Sequence, residues 1–399
     1  MPAYLDCAAT SPLDPRVRAI VLHYLDEEFG NAGSRTHGYG TRARRAVEQA
    51  RHQIAEAVQA SRGDVIFTSG ATESNNLAIL GLAEALDRSG RRHIVTSAIE
   101  HHAVLEPVRA LERRGFRVTI VEPEAGVEPG TGGWVSAQAV LDAVGPDTGL
   151  VSVMHVNNET GVMQPVDAIA SALGEPALGE QPVFLHVDAA QGFGRDLAPL
   201  RHPRIDAISI SGHKIGAPKG VGALIARRRG AARPPLTPLM HGGGQERGLR
   251  PGTVPVHLVA GLGLAATLAV AEHVARREAC LRLRDDLLRG LAPLEPMVNG
   301  DLARSWPGIV NLSIPGVDAD EAIEAWSDFV AISDGAACTT QSYTCSHVLG
   351  AMRVDAPRAA GALRFSFAHD SVLPDLPLLV LSMRQMLAAK GRREEARVE

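Results

Sequence analysis

Leu150-Val-Ser-Val-Met-His155, Val183-Phe-Leu-His-Val187 and Ala207-Ile-Ser-Ile210 are three short apolar runs rich in β-branched residues. Runs of this kind read as strands. Working outward, similar runs lie at 65–68, 93–97, 118–121 and 222–226, and helical periodicity fills several gaps, including 41–60 and 73–86. Strands alternating with helices predict an α/β domain with a mostly parallel sheet. Ligands on such sheets sit beyond the carboxyl ends of the strands. Polar residues just past strand ends are therefore the first candidates for chemistry.

A glycine-rich stretch, His241-Gly-Gly-Gly-Gln-Glu-Arg-Gly-Leu-Arg-Pro-Gly-Thr253, closes this region. A long helical segment follows at 256–291, then strands at 309–314, 330–333 and 362–367 with helices at 319–326 and 373–390. This mixture predicts a smaller α+β domain. The expected division is a large α/β domain over 15–255 and a small domain formed by 1–14 with 256–399. Segments 125–133 and 172–181 read as loops, and the charged tail 392–399 is expected to fray.

The totals exclude several classes. A chain of 399 residues suits about two domains. With 45% hydrophobic and 21% charged residues it can bury sizeable cores, and wholesale disorder is excluded. A net charge of -5 argues against a general nucleic-acid or membrane-surface binder. The runs Arg227-Arg-Arg229 and Arg91-Arg92 then read as solvated faces, and direct nucleic-acid binding is not expected. Cys7, Cys280, Cys338 and Cys345 are too sparse for a disulfide framework. Cys338, Cys345 and His347 match no zinc spacing, so no metal is expected. Residues 1–14 lack the basic and then apolar pattern of a signal peptide. The longest apolar run, 256–271, falls short of the roughly 20 residues a membrane span needs. The expectation is a soluble cytoplasmic protein.

Lysine is scarce, with only Lys214, Lys219 and Lys390. Lys214 ends the run Ser209-Ile-Ser-Gly-His-Lys214, directly after a strand. A lysine fixed there can form a Schiff base with a carbonyl, which arginine cannot do. Lys219, between Pro218 and Gly220, reads as an exposed turn. In Thr68-Ser-Gly-Ala-Thr72 a strand passes to a helix through Gly70. That turn is either an ordinary helix cap or a phosphate cradle. Asp188 closes another strand; it either caps a turn or keeps a heterocyclic nitrogen protonated. His101 follows a strand and is either a hydrogen-bonded structural residue or a ring-stacking proton relay. Cys338 lies in Ser333-Asp-Gly-Ala-Ala-Cys338-Thr-Thr-Gln-Ser-Tyr-Thr-Cys345, whose small, polar composition predicts a mobile surface loop. Such a setting suits a thiolate nucleophile better than an inert buried thiol.

Taken together, these motifs resemble those of the cysteine desulfurases, fold-type-I pyridoxal-phosphate enzymes of the class V aminotransferase group. The resemblance runs from Tyr4-Leu-Asp6 almost to the C-terminus. It includes Phe29-Gly-Asn-Ala-Gly-Ser34, Phe67-Thr-Ser-Gly-Ala-Thr-Glu-Ser74, Met154-His-Val-Asn-Asn-Glu159, His186-Val-Asp-Ala189, Ser211-Gly-His-Lys214, Gly335-Ala-Ala-Cys338 and Leu363-Arg-Phe-Ser366. It implies that Lys214 holds the cofactor aldehyde, Asp188 pairs with the pyridine nitrogen and Gln191 bonds the ring oxygen. His101 would stack on the ring and move protons. Ala71, Thr72, Ser211 and His213 would cradle the phosphate. Thr253 would reach the phosphate of a partner subunit, which implies a homodimer. Asn158 and Arg364, with Asn31, would hold the carboxylate of L-cysteine. Cys338 would take the sulfur and pass it to an acceptor protein.

Four features depart from the commonest pattern: Cys7, Asp334 beside Cys338, the second thiol Cys345, and Ala368-His-Asp370. A charged Asp334 is expected to raise the Cys338 pKa. The details Asn31-Ala-Gly-Ser-Arg-Thr-His37, Ile215-Gly-Ala-Pro-Lys219 and Gly361-Ala-Leu-Arg364 resemble desulfurases serving DNA phosphorothioation. Iron–sulfur or tRNA-thiolation desulfurases and selenocysteine lyases are the alternatives. Cys338 disfavours a pure aminotransferase, and retention of Lys214, Asp188 and Cys338 disfavours a non-catalytic scaffold.

Overall fold

The structure is a computed structural model that describes residues 1–174, 183–334 and 346–398. In chain order its strands are β1 (Ala3–Tyr4), β2 (Val65–Thr68), β3 (His93–Ser97), β4 (Arg117–Val121), β5 (Thr148–Met154), β6 (Phe184–Asp188), β7 (Ala207–Ser211), β8 (Gly222–Ala226), β9 (Met297–Val298), β10 (Ile309–Ser313), β11 (Val330–Ala331), β12 (Ser333–Asp334) and β13 (Ala362–Ser366). Seven form the main sheet, in the order β2-β8-β7-β6-β5-β3-β4. From β4 to β7 every pairing is parallel, while β8 is antiparallel to both β7 and β2. Only residues 212–221 separate β7 from β8, too few for a parallel crossover. Because β8 reverses, β2 again points the same way as β7. The carboxyl ends of β2, β3, β5, β6 and β7 thus share one edge.

Every residue of β2, β3, β5, β7 and β8 is buried. A sheet covered by helices on both faces needs such continuous apolar strands. Helix Gly38–Ala57 packs on helix Val256–Leu291. At their crossing a Cβ on Gly263 would lie 2.6 Å from Ala50 Cα, so only glycine permits this approach.

The second sheet has the order β12-β13-β10-β9 and is antiparallel throughout. The predicted strand 330–333 is split. β11 pairs in parallel with β1, and β12 then crosses to pair with β13. The chain's first residues therefore belong beside its last third, and Asp6 bridges to Ser366. Helix Val256–Leu291 sends Val259, Leu262 and Ala266 into one core and Cys280, Leu287 and Leu291 into another. By length and composition the helical stretch Val256–Leu294 is apolar enough to cross a membrane, unlike the shorter run read from the sequence. Its place in both cores is that of a core helix. The final helix, Leu376–Val398, runs through the tail expected to fray; arginine, glutamate and alanine are good helix formers there.

The arginine runs are solvated only in part: Arg92 and Arg228 are exposed, while their neighbours are not. Arg227 is buried and donates to the carbonyls of His202, Val58 and Leu200. Arg228 pairs with Asp64 and Arg229 with Asp206, and Arg91 is buried against the Thr148 carbonyl. These guanidiniums satisfy loop carbonyls and carboxylates at the amino edge of the sheet, leaving little charge for a phosphate backbone.

The glycine-rich stretch delivers one buried acid. Glu246 takes both Arg51 Nη atoms at 2.8 Å and the Phe67 amide at 2.8 Å. Arg51 and Glu246 side chains are 7% and 4% exposed. Glu246→Ala would leave that guanidinium buried with only the half-exposed Glu48 as an acidic partner, and a loss of about 3 kcal/mol in unfolding free energy is expected in a denaturant titration.

Candidate active site

Five strand ends supply the cavity. β6 ends in Asp188, and β7 ends in Ser211 and turns through Gly212–Lys214. β2 passes through Ser69 and Gly70 into helix Ala71–Arg88. β3 leads to His101 and β5 to Asn158. Lys214, Asp188, Gln191, His101, Ala71, Thr72, Ser211, His213, Asn158 and Arg364 all line one cavity of about 650 Å³.

Lys214 marks one end. Its Nζ donates to the carbonyls of Ala9, at 2.8 Å, and Ala8. Gln191 Nε2 donates to the same Ala8 oxygen at 2.8 Å, and its Oε1 accepts from Arg195 Nη1 at 2.6 Å. Asp188 is buried. Its Oδ2 accepts from Asn75 Nδ2 at 2.7 Å and its Oδ1 from the Ala190 amide at 2.9 Å.

His101 caps helix His102–Arg113 by accepting the Ala103 amide on Nδ1 at 3.0 Å. That bond leaves the neutral ring's proton on Nε2. Burial holds its pKa below the usual imidazole value, with Asp188 opposing and Lys214 reinforcing.

The other end is built for an anion. Helix Ala71–Arg88 has no side-chain cap, and its N-cap Gly70 takes φ 156°, ψ -177°, a conformation essentially reserved for glycine. The helix N-terminus adds a partial positive charge. Strand β8 passes so close that a Cβ on Gly222 would meet Gly70 Cα at 2.6 Å. His213 lines the same cavity as this turn, with Nδ1 buried and unpartnered among the described residues. Burial, Lys214 and Lys219 push its pKa down to about 4, so at neutral pH it is an uncharged ring able to donate one N–H.

An amine, a buried acid and a cradle of helix amides and hydroxyls thus bound one space. The set fits a planar aldehyde with a ring nitrogen and a phosphate. Arg364, 1% exposed, and Asn158 close the side nearest the second sheet.

Two expected residues lie elsewhere. Asn31 is exposed, and its Oδ1 accepts the Gly33 amide at 2.8 Å. Thr253 is exposed and lines no part of this cavity. Cys338 and Cys345 lie outside the described residues. Cys7 is buried, which raises its thiol pKa. It faces a neighbouring cavity of about 290 Å³ with His369 and Asp370. Asp334 has its pKa raised by burial and by Asp320. Lys219 is exposed but still reaches the cavity mouth.

Several residues escaped the sequence reading. Asn75 follows Thr72 by one helical turn, and that spacing was the available signal. Glu100 is fully buried and accepts from Ser97 Oγ at 2.5 Å and the Met154 amide at 2.8 Å. Burial pushes it up to about 8, so it is largely neutral at pH 7 and ties β3 to β5. Glu159 is pushed up to about 7 by burial and accepts from Ser346 Oγ.

Comparison with known proteins agrees with this chemistry. Residues 3–378 match the family Aminotransferase class-V. The cysteine desulfurase IscS of Shewanella sp. (strain W3-18-1) is 44% identical over 372 residues, covering 92% of this chain and 88% of that one. The crystal structure of DndA from Streptomyces lividans is 51% identical with a TM-score of 0.78, covering 92% of this chain and 99% of that chain. A NifS-like protein is 33% identical with a TM-score of 0.86, covering 97% and 100%. The chain belongs to the class-V aminotransferase family and, within it, to the cysteine desulfurases. It is a pyridoxal-phosphate-dependent enzyme acting on L-cysteine.

Proposed function

We propose that the sulfur of L-cysteine passes to Cys338 and from there to an acceptor protein that serves DNA phosphorothioation. The convergence of Lys214, Asp188 and Arg364 on one cavity carries the catalytic part of this reading. When bound, pyridoxal phosphate supplies an aldehyde for the substrate amine and an electron sink for the adjacent carbon. Lys214 holds that aldehyde and moves the Cα proton. Asp188 keeps the ring nitrogen protonated, with Asn75 and the Ala190 amide fixing its carboxylate. His101 covers the ring and carries its proton on Nε2. The turn at Gly70, with Thr72, Ser211 and His213, holds the phosphate. Arg364 and Asn158 hold the substrate carboxylate. The Cys338 thiolate then attacks the substrate sulfur. The S–S bond forms, the Cβ–S bond breaks, Cβ takes a proton, and alanine leaves.

The likeness to DndA, together with the Asn31-to-His37 and Ile215-to-Lys219 motifs, supports the DNA destination. The likeness to IscS supports an iron–sulfur destination as the second reading. A homodimer accords with Thr253 lying exposed outside its own cavity. It also accords with the exposed apolar Phe29 and Tyr39, stacked at 5.3 Å, and exposed Leu239 and Met240. A cytoplasmic setting accords with unpaired thiols at Cys7 and Cys280.

The test has two parts. Purified protein with L-cysteine and a reductant should release alanine and sulfide in equal amounts. Deleting the gene should remove phosphorothioate linkages from the host's DNA, measured by mass spectrometry of nuclease digests. Intact linkages with loss of iron–sulfur enzyme activity would replace the first destination with the second.

A further inference from the structure

Arg364 is a buried cation with both Nη2 hydrogens already committed. Nη2 donates to Asp6 Oδ1 at 2.9 Å and to Ser333 Oγ at 2.7 Å, while Nη1 donates to the Asn158 carbonyl at 3.1 Å. Ser333 Oγ itself donates to Asp6 Oδ1 at 2.9 Å. Nε is buried without a partner among the described residues. A guanidinium offers a carboxylate two bidentate edges, Nε with Nη2 and Nη1 with Nη2. Both edges need Nη2, and both of its hydrogens are taken. A substrate carboxylate that grips Arg364 with two bonds must displace Asp6 or Ser333.

Asp6 is well placed to be displaced and to return. Its backbone is pinned by the bridge to Ser366, while its side chain keeps 21% of its exposure. Water can therefore take over its oxygen when Arg364 changes partner. While paired, it compensates a guanidinium that would otherwise be buried with backbone and hydroxyl partners alone.

We propose that Asp6 is a built-in competitor for the substrate carboxylate. It rests on Arg364 between turnovers and weakens the site's hold on amino acids, so that alanine is released readily. This rests on the reading of Arg364 as the carboxylate receptor. The competition acts on ligands that carry a carboxylate and on no others.

The test uses the holoenzyme and L-alanine, which binds without being desulfurated, followed by the cofactor's absorbance. Asp6→Asn should tighten L-alanine about tenfold, the size of one charge-assisted hydrogen bond. The KM for L-cysteine should fall similarly while kcat does not rise. Affinity for ethylamine, which is alanine without its carboxylate, should not move. Unchanged or weaker L-alanine binding would overturn the proposal, as would equal tightening of both ligands. Asp6→Ser, which removes the competing carboxylate altogether, should tighten L-alanine at least as much; it decides the matter if Asp6→Asn does not fold. Arg364→Lys is the control. If it weakens L-alanine and Asp6→Asn does not tighten it, only the competition fails. If Arg364→Lys leaves L-alanine binding unaltered, the carboxylate reading and the proposal fail together.

Discussion

Lys214→Ala is expected to release neither alanine nor sulfide from L-cysteine, a fall of at least about a thousandfold. The amine has two duties that no neighbour can assume. It must react with an aldehyde, and it must carry a proton to and from the substrate carbon. The other described lysine near the cavity, Lys219, stands at its mouth. Lys214 is instead fixed at the floor by the Ala8 and Ala9 carbonyls. Those carbonyls orient the amine, and orientation is a large part of the rate in such steps. The purified variant should also lack the absorbance band of a lysine-bound cofactor. A variant that keeps both the band and turnover would move the reaction to Lys219. Arginine at 214 should be equally inactive, since it cannot lose its proton at working pH.

Cys338→Ser should bind L-cysteine and change the cofactor's absorbance, yet carry no persulfide and release alanine at least about a thousandfold more slowly. A serine hydroxyl is a far poorer nucleophile than a thiolate at neutral pH. The two thiols on the described residues cannot replace it. Cys7 is buried with its pKa raised, and Cys280 is pushed up to about 11 by burial. Intact-mass measurement after exposure to L-cysteine decides the point. Sustained persulfide on the variant would place the nucleophile elsewhere, with Cys345 the first residue to replace.

The main sheet was legible because its strands, the edge strand β4 apart, are buried on both faces. β2, β3 and β8 sit at the very residues read from their apolar runs. The cavity was legible because strand-end polarity is a local signal: Asp188, Lys214 and Gly70 each follow an apolar run. Partners brought by the fold from afar were not. Asp6 meets Arg364 across most of the chain, and Glu246 meets Arg51 from the glycine-rich stretch, where no local signal marks a buried acid. Arg91 and Arg227 misled for the same reason. A charge looks solvated until the carbonyls that surround it are known. The split between β11 and β12 was hidden because Ile332 keeps the apolar pattern while the chain changes sheets.

The pairing of β1 with β11, and of residue 6 with residue 366, also ties the start of the chain to segments synthesised last. Synthesis delivers the amino-terminal residues first, yet their seats are made by segments that leave the ribosome near the end. Contacts so distant in sequence form late in folding. The lysine's carbonyl cradle at Ala8 and Ala9 is therefore incomplete on a nascent chain. A chain stalled short of residue 366 would lack the strand that seats residues 6 to 8 beside the site.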